Sequence, residues 1–114
     1  MLSIQHNYSK EEAESMIKEI RYVFKHLPID VQKKIDENCL ILLLGKTYGY
    51  STGKSNKHLI ILNIADMIQD QLSIKEQRFV IAHEFAHFFL NHTRSTDVEE
   101  NEANNQVMRW GFNI

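Results

Sequence analysis

Apolar residues recur at steps of three and four from Ala13 through Met16, Ile17, Ile20 and Phe24 to Leu27, and the run stops at Pro28. Lys10, Glu11, Glu14, Lys18, Glu19 and Arg21 fill the remaining positions. This period predicts an amphipathic helix of about five turns with a solvated charged face. Ser9 and Glu12 have the spacing of a helix start, and His26, near the other end, reads as a surface or capping residue. Val31 and Ile35, one turn apart, predict a short second helix over Ile29–Asn38. The pattern then changes. Cys39–Leu44 is an unbroken aliphatic run closed by Gly45, and residues 58–64 (HLIILNI) form another. Both suit buried strands. Residues 47–56 between them are rich in turn formers, which predicts a hairpin or a strand with a flexible connection. Residues 63–72 read as a short helix or an ordered loop.

The next stretch, residues 74–91, is apolar nearly all round. Phe79, Val80, Ala86 and Leu90 lie on one side of its helical wheel, with Ile74, Ile81, Phe85, Phe88 and Phe89 on the other. A helix of this kind is enclosed by protein on most sides, so it should be the central helix of an α+β domain, with the small sheet packed against it. Ser73 and Glu76 form a capping-box pattern at its start. Thr96 and Glu99 repeat that pattern ahead of a last helix, expected to run to about Trp110.

Composition narrows the class. The chain has 114 residues, 43% of them hydrophobic, and a formal charge of −2. It is expected to form a single domain, residues 1–114. The slightly acidic balance offers no broad basic field for a phosphate backbone, so direct nucleic-acid binding is not expected. The longest apolar run, Cys39–Leu44, is far shorter than the roughly 20 residues that span a bilayer. The N-terminus lacks the basic and apolar regions of a secretion signal. No membrane association and a cytoplasmic location are the resulting expectations. The single cysteine, Cys39, excludes an intramolecular disulfide and reads as a small buried apolar residue.

The central helix also carries His83-Glu84-Phe85-Ala86-His87. Imidazoles four residues apart on a helix differ by about 40° of rotation and stand one turn above each other, so both can reach one metal ion. Glu84 lies on the same side, placed to meet a water at that ion without ligating it. Chance would produce about 0.03 such motifs in a chain of this composition. Two imidazoles beside a carboxylate in apolar surroundings would also be costly without a cation to organise them. Zinc in hydrolases commonly takes three protein ligands. On the last helix Glu99 and Glu102 fall with the buried arc of Ala103, Val107 and Trp110. Because Glu99 has a capping role available, Glu102 is the expected third ligand. Asn101, Asn104 and Asn105 are assigned to the wet face. His92 comes five residues after His87, roughly 180° around the helix from His83, and is expected outside the ligand set, at the helix end or supporting a ligand from behind. In the pattern His-Glu-x-x-His-x-x-Gly-x-x-His a glycine permits the break that brings in a third histidine. Here that position is Leu90, and His92 is one residue early. Zn2+ is the expected cofactor, although the same donors accept other first-row divalent ions.

Residues 83–92, HEFAHFFLNH, followed by Glu100-Asn101-Glu102-Ala103-Asn104, resemble the ImmA/IrrE family of small bacterial and phage zinc metallopeptidases. The resemblance covers about residues 59–104. It implies a minimal thermolysin-like (zincin) fold, zinc held by His83, His87 and Glu102, Glu84 as catalytic base, and a repressor or other regulatory protein as target. The chain departs from the family pattern after Asn104, where NQVMRWGF replaces the usual Phe-Ala pair and Leu-Leu-Met-Pro stretch. It carries no helix-turn-helix segment, so any link to transcription would come from a separate regulator. The expected function is zinc-dependent hydrolysis of a peptide bond in a protein or peptide substrate. Tyr48, Tyr50, His58 and His92 are candidate oxyanion donors, and residues 58–64 are a candidate edge for an extended substrate. The alternative is a non-catalytic zinc-binding module, such as a phage or toxin–antitoxin regulatory component. Glu84, which a structural zinc site does not need, favours catalysis.

Overall fold

A computed structural model describes residues 2–6, 10–44, 58–63, 71–92 and 96–113. Three strands and four helices are present among them: β1 (Ser3–His6), α1 (Lys10–Lys25), α2 (Ile29–Asn38), β2 (Cys39–Leu44), β3 (His58–Asn63), α3 (Ile74–Phe89) and α4 (Asp97–Arg109). The result is an α+β fold built around a three-stranded sheet of order β1-β2-β3.

Every pairing in that sheet is parallel. Ile4 lies opposite Ile41, and Ile41 opposite Ile60, so the three strands run in step. Of the two connections expected between β2 and β3, a hairpin or a flexible connection, the parallel pairing excludes the hairpin. Parallel neighbours require a connection of about a dozen residues or more, and the connecting residues, 45–57, lie outside the described residues. The β1–β2 crossover is made by α1 and α2. β1 was not anticipated from the sequence, because only Ile4 within Ser3–His6 carries a strand signal.

The core forms where the sheet meets the helices. Cys39, Ile41, Leu43, Ile60 and Leu62 are buried together with Met16, Ile20, Val23 and Leu27 of α1 and its following turn, and with Val31 and Ile35 of α2. Through the middle runs α3, which buries Ile81, Ala82, Phe85, Ala86 and Phe88. The expected enclosure of this helix holds at Phe85, which has no exposed surface, and fails at its first turn, where Ile74 is 55% exposed. The Ser73 cap is a complete box: Glu76 N donates to Ser73 Oγ at 3.1 Å, and Ser73 N donates to Glu76 Oε1 at 3.2 Å.

A polar clamp fixes α3 to α1. Glu19, almost fully buried, accepts from Arg78 Nε at 2.8 Å. The Arg78 guanidinium lies 3.5 Å from the centre of the Tyr22 ring, and Tyr22 in turn stacks on His26 with ring centres 4.1 Å apart. His26 Nδ1 is 2.7 Å from the carbonyl of Tyr22, in keeping with its expected capping place.

The end of α3 decides the geometry of the site. The helix was expected to continue to residue 91 but stops at Phe89, with Leu90 as its cap and Asn91 at φ 57°. Asn91 N donates to Phe88 O, and His92 N donates to His87 O. This pair of bonds around a left-handed residue is the Schellman arrangement, and asparagine is, after glycine, a residue that tolerates the left-handed position.

Candidate metal centre

His83 and His87 project from the same face of α3, and their Nε2 atoms lie 2.9 Å apart. α4 crosses alongside and brings one carboxylate to both: Glu100 Oε2 is 2.8 Å from His83 Nε2, and Oε1 is 3.1 Å from His87 Nε2. Among the described residues, His83, His87 and Glu100 form the one group of three such side chains whose donor atoms converge closely enough to hold an ion.

The expected third ligand was Glu102, and the structure places it elsewhere. Its side chain is 54% exposed, and its Oε2 lies 3.5 Å from His92 Nε2. The physical reason is the face of α4 that packs on α3. Ala103 and Val107 are its buried residues, and Glu100 and Asn104 flank them at the helical spacings of three and four. Glu102 lies about 100° of helix rotation before Ala103, toward solvent. Asn104, assigned to the wet face from its polarity, is drawn into the site, where its Oδ1 accepts from His83 Nδ1 at 2.8 Å. Glu100 and Asn104 are one turn apart, so a single helix face supplies both a carboxylate beside the two imidazoles and an acceptor that orients the His83 ring. The small, fully buried Ala103 between them lets the two helices approach. The stripe Glu100, Ala103, Asn104, Val107 was a sequence signal that could have found both residues.

The donor chemistry fits a divalent cation. With Asn104 accepting from Nδ1 of His83, that ring carries its proton on Nδ1 and turns the Nε2 lone pair toward His87 and the Glu100 carboxylate. The His83 lone pair and the negative Glu100 oxygen 2.8 Å from it repel one another unless a positive charge sits among them. Bonds of about 2.0–2.1 Å to a tetrahedral zinc would set ligand atoms about 3.3 Å apart. Small side-chain rotations would open the present cluster to that size.

Glu84 stands next to this group without belonging to it. Burial raises its carboxyl above the usual glutamate range. His83 and His87 pull in the opposite direction, and Glu100 adds to the rise. His92 also stays outside the converging group. Its Nδ1 lies 2.8 Å from His87 Nδ1, and Glu99 Oε2 is 3.9 Å away. Glu99 donates its backbone N–H to Thr96 Oγ1 at 3.2 Å, which is the Thr96 half of the expected capping box. Of the candidate oxyanion donors, Tyr48, Tyr50 and the His58 side chain lie outside the described residues.

A helix pair that converges two imidazoles and a carboxylate, with the half-buried carboxylate of Glu84 beside them, suits a metallopeptidase-type site. The chain belongs to the IrrE N-terminal-like domain family, Peptidase_M78, whose model matches residues 44–109 and so spans both the His-Glu-x-x-His helix and α4. It is also 32% identical over 74 residues to "Probable cytosol aminopeptidase" of Acinetobacter baumannii strains AYE, SDF and ACICU. The match takes in 62% of this chain and 15% of each relative, so the chain spans only a small part of the length of those proteins. No solved structure matches. No helix among the described residues is long and apolar enough to cross a membrane.

Proposed function

We propose that this chain is a zinc-dependent endopeptidase of minimal zincin type that hydrolyses a peptide bond in a protein partner, such as a separate transcriptional regulator. The observation that carries the reading is the division of labour among three carboxylates. Glu100 converges with His83 and His87, Glu102 faces His92, and Glu84 is held beside the ligand pair with a raised pKa. A site serving only to stabilise the fold has no use for Glu84.

His83, His87 and Glu100 would hold the metal, which when bound supplies Lewis acidity and lowers the pKa of a water at the site to about 7. Asn104 keeps the His83 ring in the tautomer that leaves Nε2 free. Glu84 acts as the general base. It accepts a proton from the attacking water as the new C–O bond forms, and delivers it to the amine nitrogen as the C–N bond breaks. A carboxyl raised toward neutral pH is better matched to both halves of that transfer than one with an ordinary value. β3 closes one side of the sheet among the described residues and would give an extended substrate a line of backbone hydrogen bonds.

The test is cleavage. Zinc-loaded wild type and Glu84→Gln are incubated with candidate regulatory proteins and with a complex peptide mixture, and fragments are identified by mass spectrometry. The proposal expects new termini with wild type and none with Glu84→Gln at equal zinc content. Identical outcomes for the two proteins would instead support the non-catalytic zinc module.

A further inference from the structure

We propose that His92 is a positioning residue of the metal centre, holding the His87 ring with its proton on Nδ1 and its Nε2 turned to the ion. The inference rests on the metallopeptidase reading above and adds to it a residue that touches neither metal nor substrate.

The two ligating rings are oriented by different means. For His83 the partner comes from α4, where Asn104 Oδ1 accepts from Nδ1. His87 has the same need, since a ring that gives its Nε2 lone pair to a metal carries its proton on Nδ1 and must place that N–H against an acceptor. The atom 2.8 Å from His87 Nδ1 is His92 Nδ1. One of these two nitrogens donates and the other accepts. If His87 donates, His92 Nδ1 holds the lone pair and its proton lies on Nε2, which faces Glu102 Oε2 at 3.5 Å. A carboxylate is the partner that suits an N–H at that position. The tautomers required at the three sites are therefore mutually consistent.

The backbone brings His92 there. In a Schellman turn the residue after the left-handed position folds back over the third residue from the helix end, usually in an apolar contact. Here those two residues are His92 and His87, joined through the backbone by His92 N donating to His87 O at 2.9 Å. Their rings meet with centres 5.0 Å apart and 63° between their planes. The place commonly given to a hydrophobic contact is occupied by an imidazole pair. The His92 side chain is 8% exposed, which shields the pair from competing water.

The test measures zinc affinity, by competition with a chelating dye, in wild type, His92→Phe and His92→Asn. His92→Phe keeps an aromatic ring but removes the acceptor. His92→Asn restores an acceptor where Nδ1 stood. The proposal expects zinc binding about 10- to 100-fold weaker in His92→Phe and recovery of most of that loss in His92→Asn. Nitrogen-15 NMR of zinc-loaded wild type, which does not depend on a variant folding, should show His87 Nδ1 protonated and His92 Nδ1 unprotonated. Wild-type affinity in His92→Phe, or a proton on His92 Nδ1, would overturn the proposal while leaving the metallopeptidase reading in place. Failure of wild type to bind zinc at all would remove both.

Discussion

Arg78→Ala should destabilise the protein by much more than a surface ion pair would suggest. Glu19 is 7% exposed at its side chain and Arg78 27%, so the substitution strands a carboxylate in the interface between α1 and the site helix. Opposite charges about 4 Å apart attract by about 4 kcal/mol at an effective dielectric of about 20. Access of water to the partly exposed guanidinium reduces that figure, whereas loss of its stacking on Tyr22 adds about 0.5–1 kcal/mol. The expected cost is about 2–4 kcal/mol, compared with about 0–1 kcal/mol for an exposed pair. For a chain of 114 residues this corresponds to a fall in Tm of about 8–16 °C. Urea unfolding of wild type, Arg78→Ala, Glu19→Gln and the double variant measures it. Glu19→Gln should cost less than Arg78→Ala, because the charge it leaves unpaired, the Arg78 guanidinium, is the more exposed of the two and keeps its stacking on Tyr22, and the double variant should be more stable than the sum of the single losses predicts. Additive effects, or an Arg78→Ala cost below about 0.5 kcal/mol, would refute the reasoning.

Two further outcomes follow from the same geometry. In metal-free protein the raised pKa of Glu84 means that the folded state binds this proton more tightly than the unfolded chain, so stability is lost as pH rises from the ordinary glutamate range through the raised value. Glu84→Gln should weaken that decline and be at least as stable as wild type near neutral pH, a comparison made by thermal unfolding across pH in the presence of a chelator; a less stable variant with an unchanged pH profile would contradict it. At Asn91, with φ 57°, glycine should be tolerated, whereas Asn91→Val should cost about 1–2 kcal/mol and weaken zinc binding by displacing His92; equal stability of the two variants would refute the role given to the left-handed turn.

The legibility of the chain followed the length of its patterns. α2 was readable to its ends because Pro28 starts it, Val31 and Ile35 mark its buried side, and the aliphatic run from Cys39 leaves no helical period to continue. The burial of α3 was readable from its all-round apolar wheel. β1 was not, since four residues with one inward aliphatic become a strand only when β2 offers them an edge. Strand direction was hidden for a related reason: the two aliphatic runs are equally compatible with parallel and antiparallel pairing, and the turn formers of residues 47–56 suit a hairpin and a longer connection alike.

At the site, the motif on α3 was legible because His83, Glu84 and His87 lie within five consecutive residues. Which carboxylate meets the two imidazoles depends on how α4 rotates against α3, and judging that rotation by polarity sent Asn104 to solvent and Glu102 inward. The structure reverses both, since Asn104 is bonded to His83 and Glu100 lies one turn before it. His92 was expected at the helix end and outside the ligand set, and it stands there; the left-handed Asn91 that turns its ring onto His87 had no glycine to announce it.

The central claim is that His83, His87 and Glu100 hold one metal while Glu84 does not. A crystal structure of the zinc-loaded protein, with anomalous scattering recorded on both sides of the zinc absorption edge, tests it most directly. The account predicts a single strong anomalous peak about 2.0–2.2 Å from His83 Nε2, His87 Nε2 and a Glu100 oxygen, with Glu84 and Glu102 outside bonding distance. A peak ligated by Glu102 in place of Glu100, or by Glu84, would contradict it.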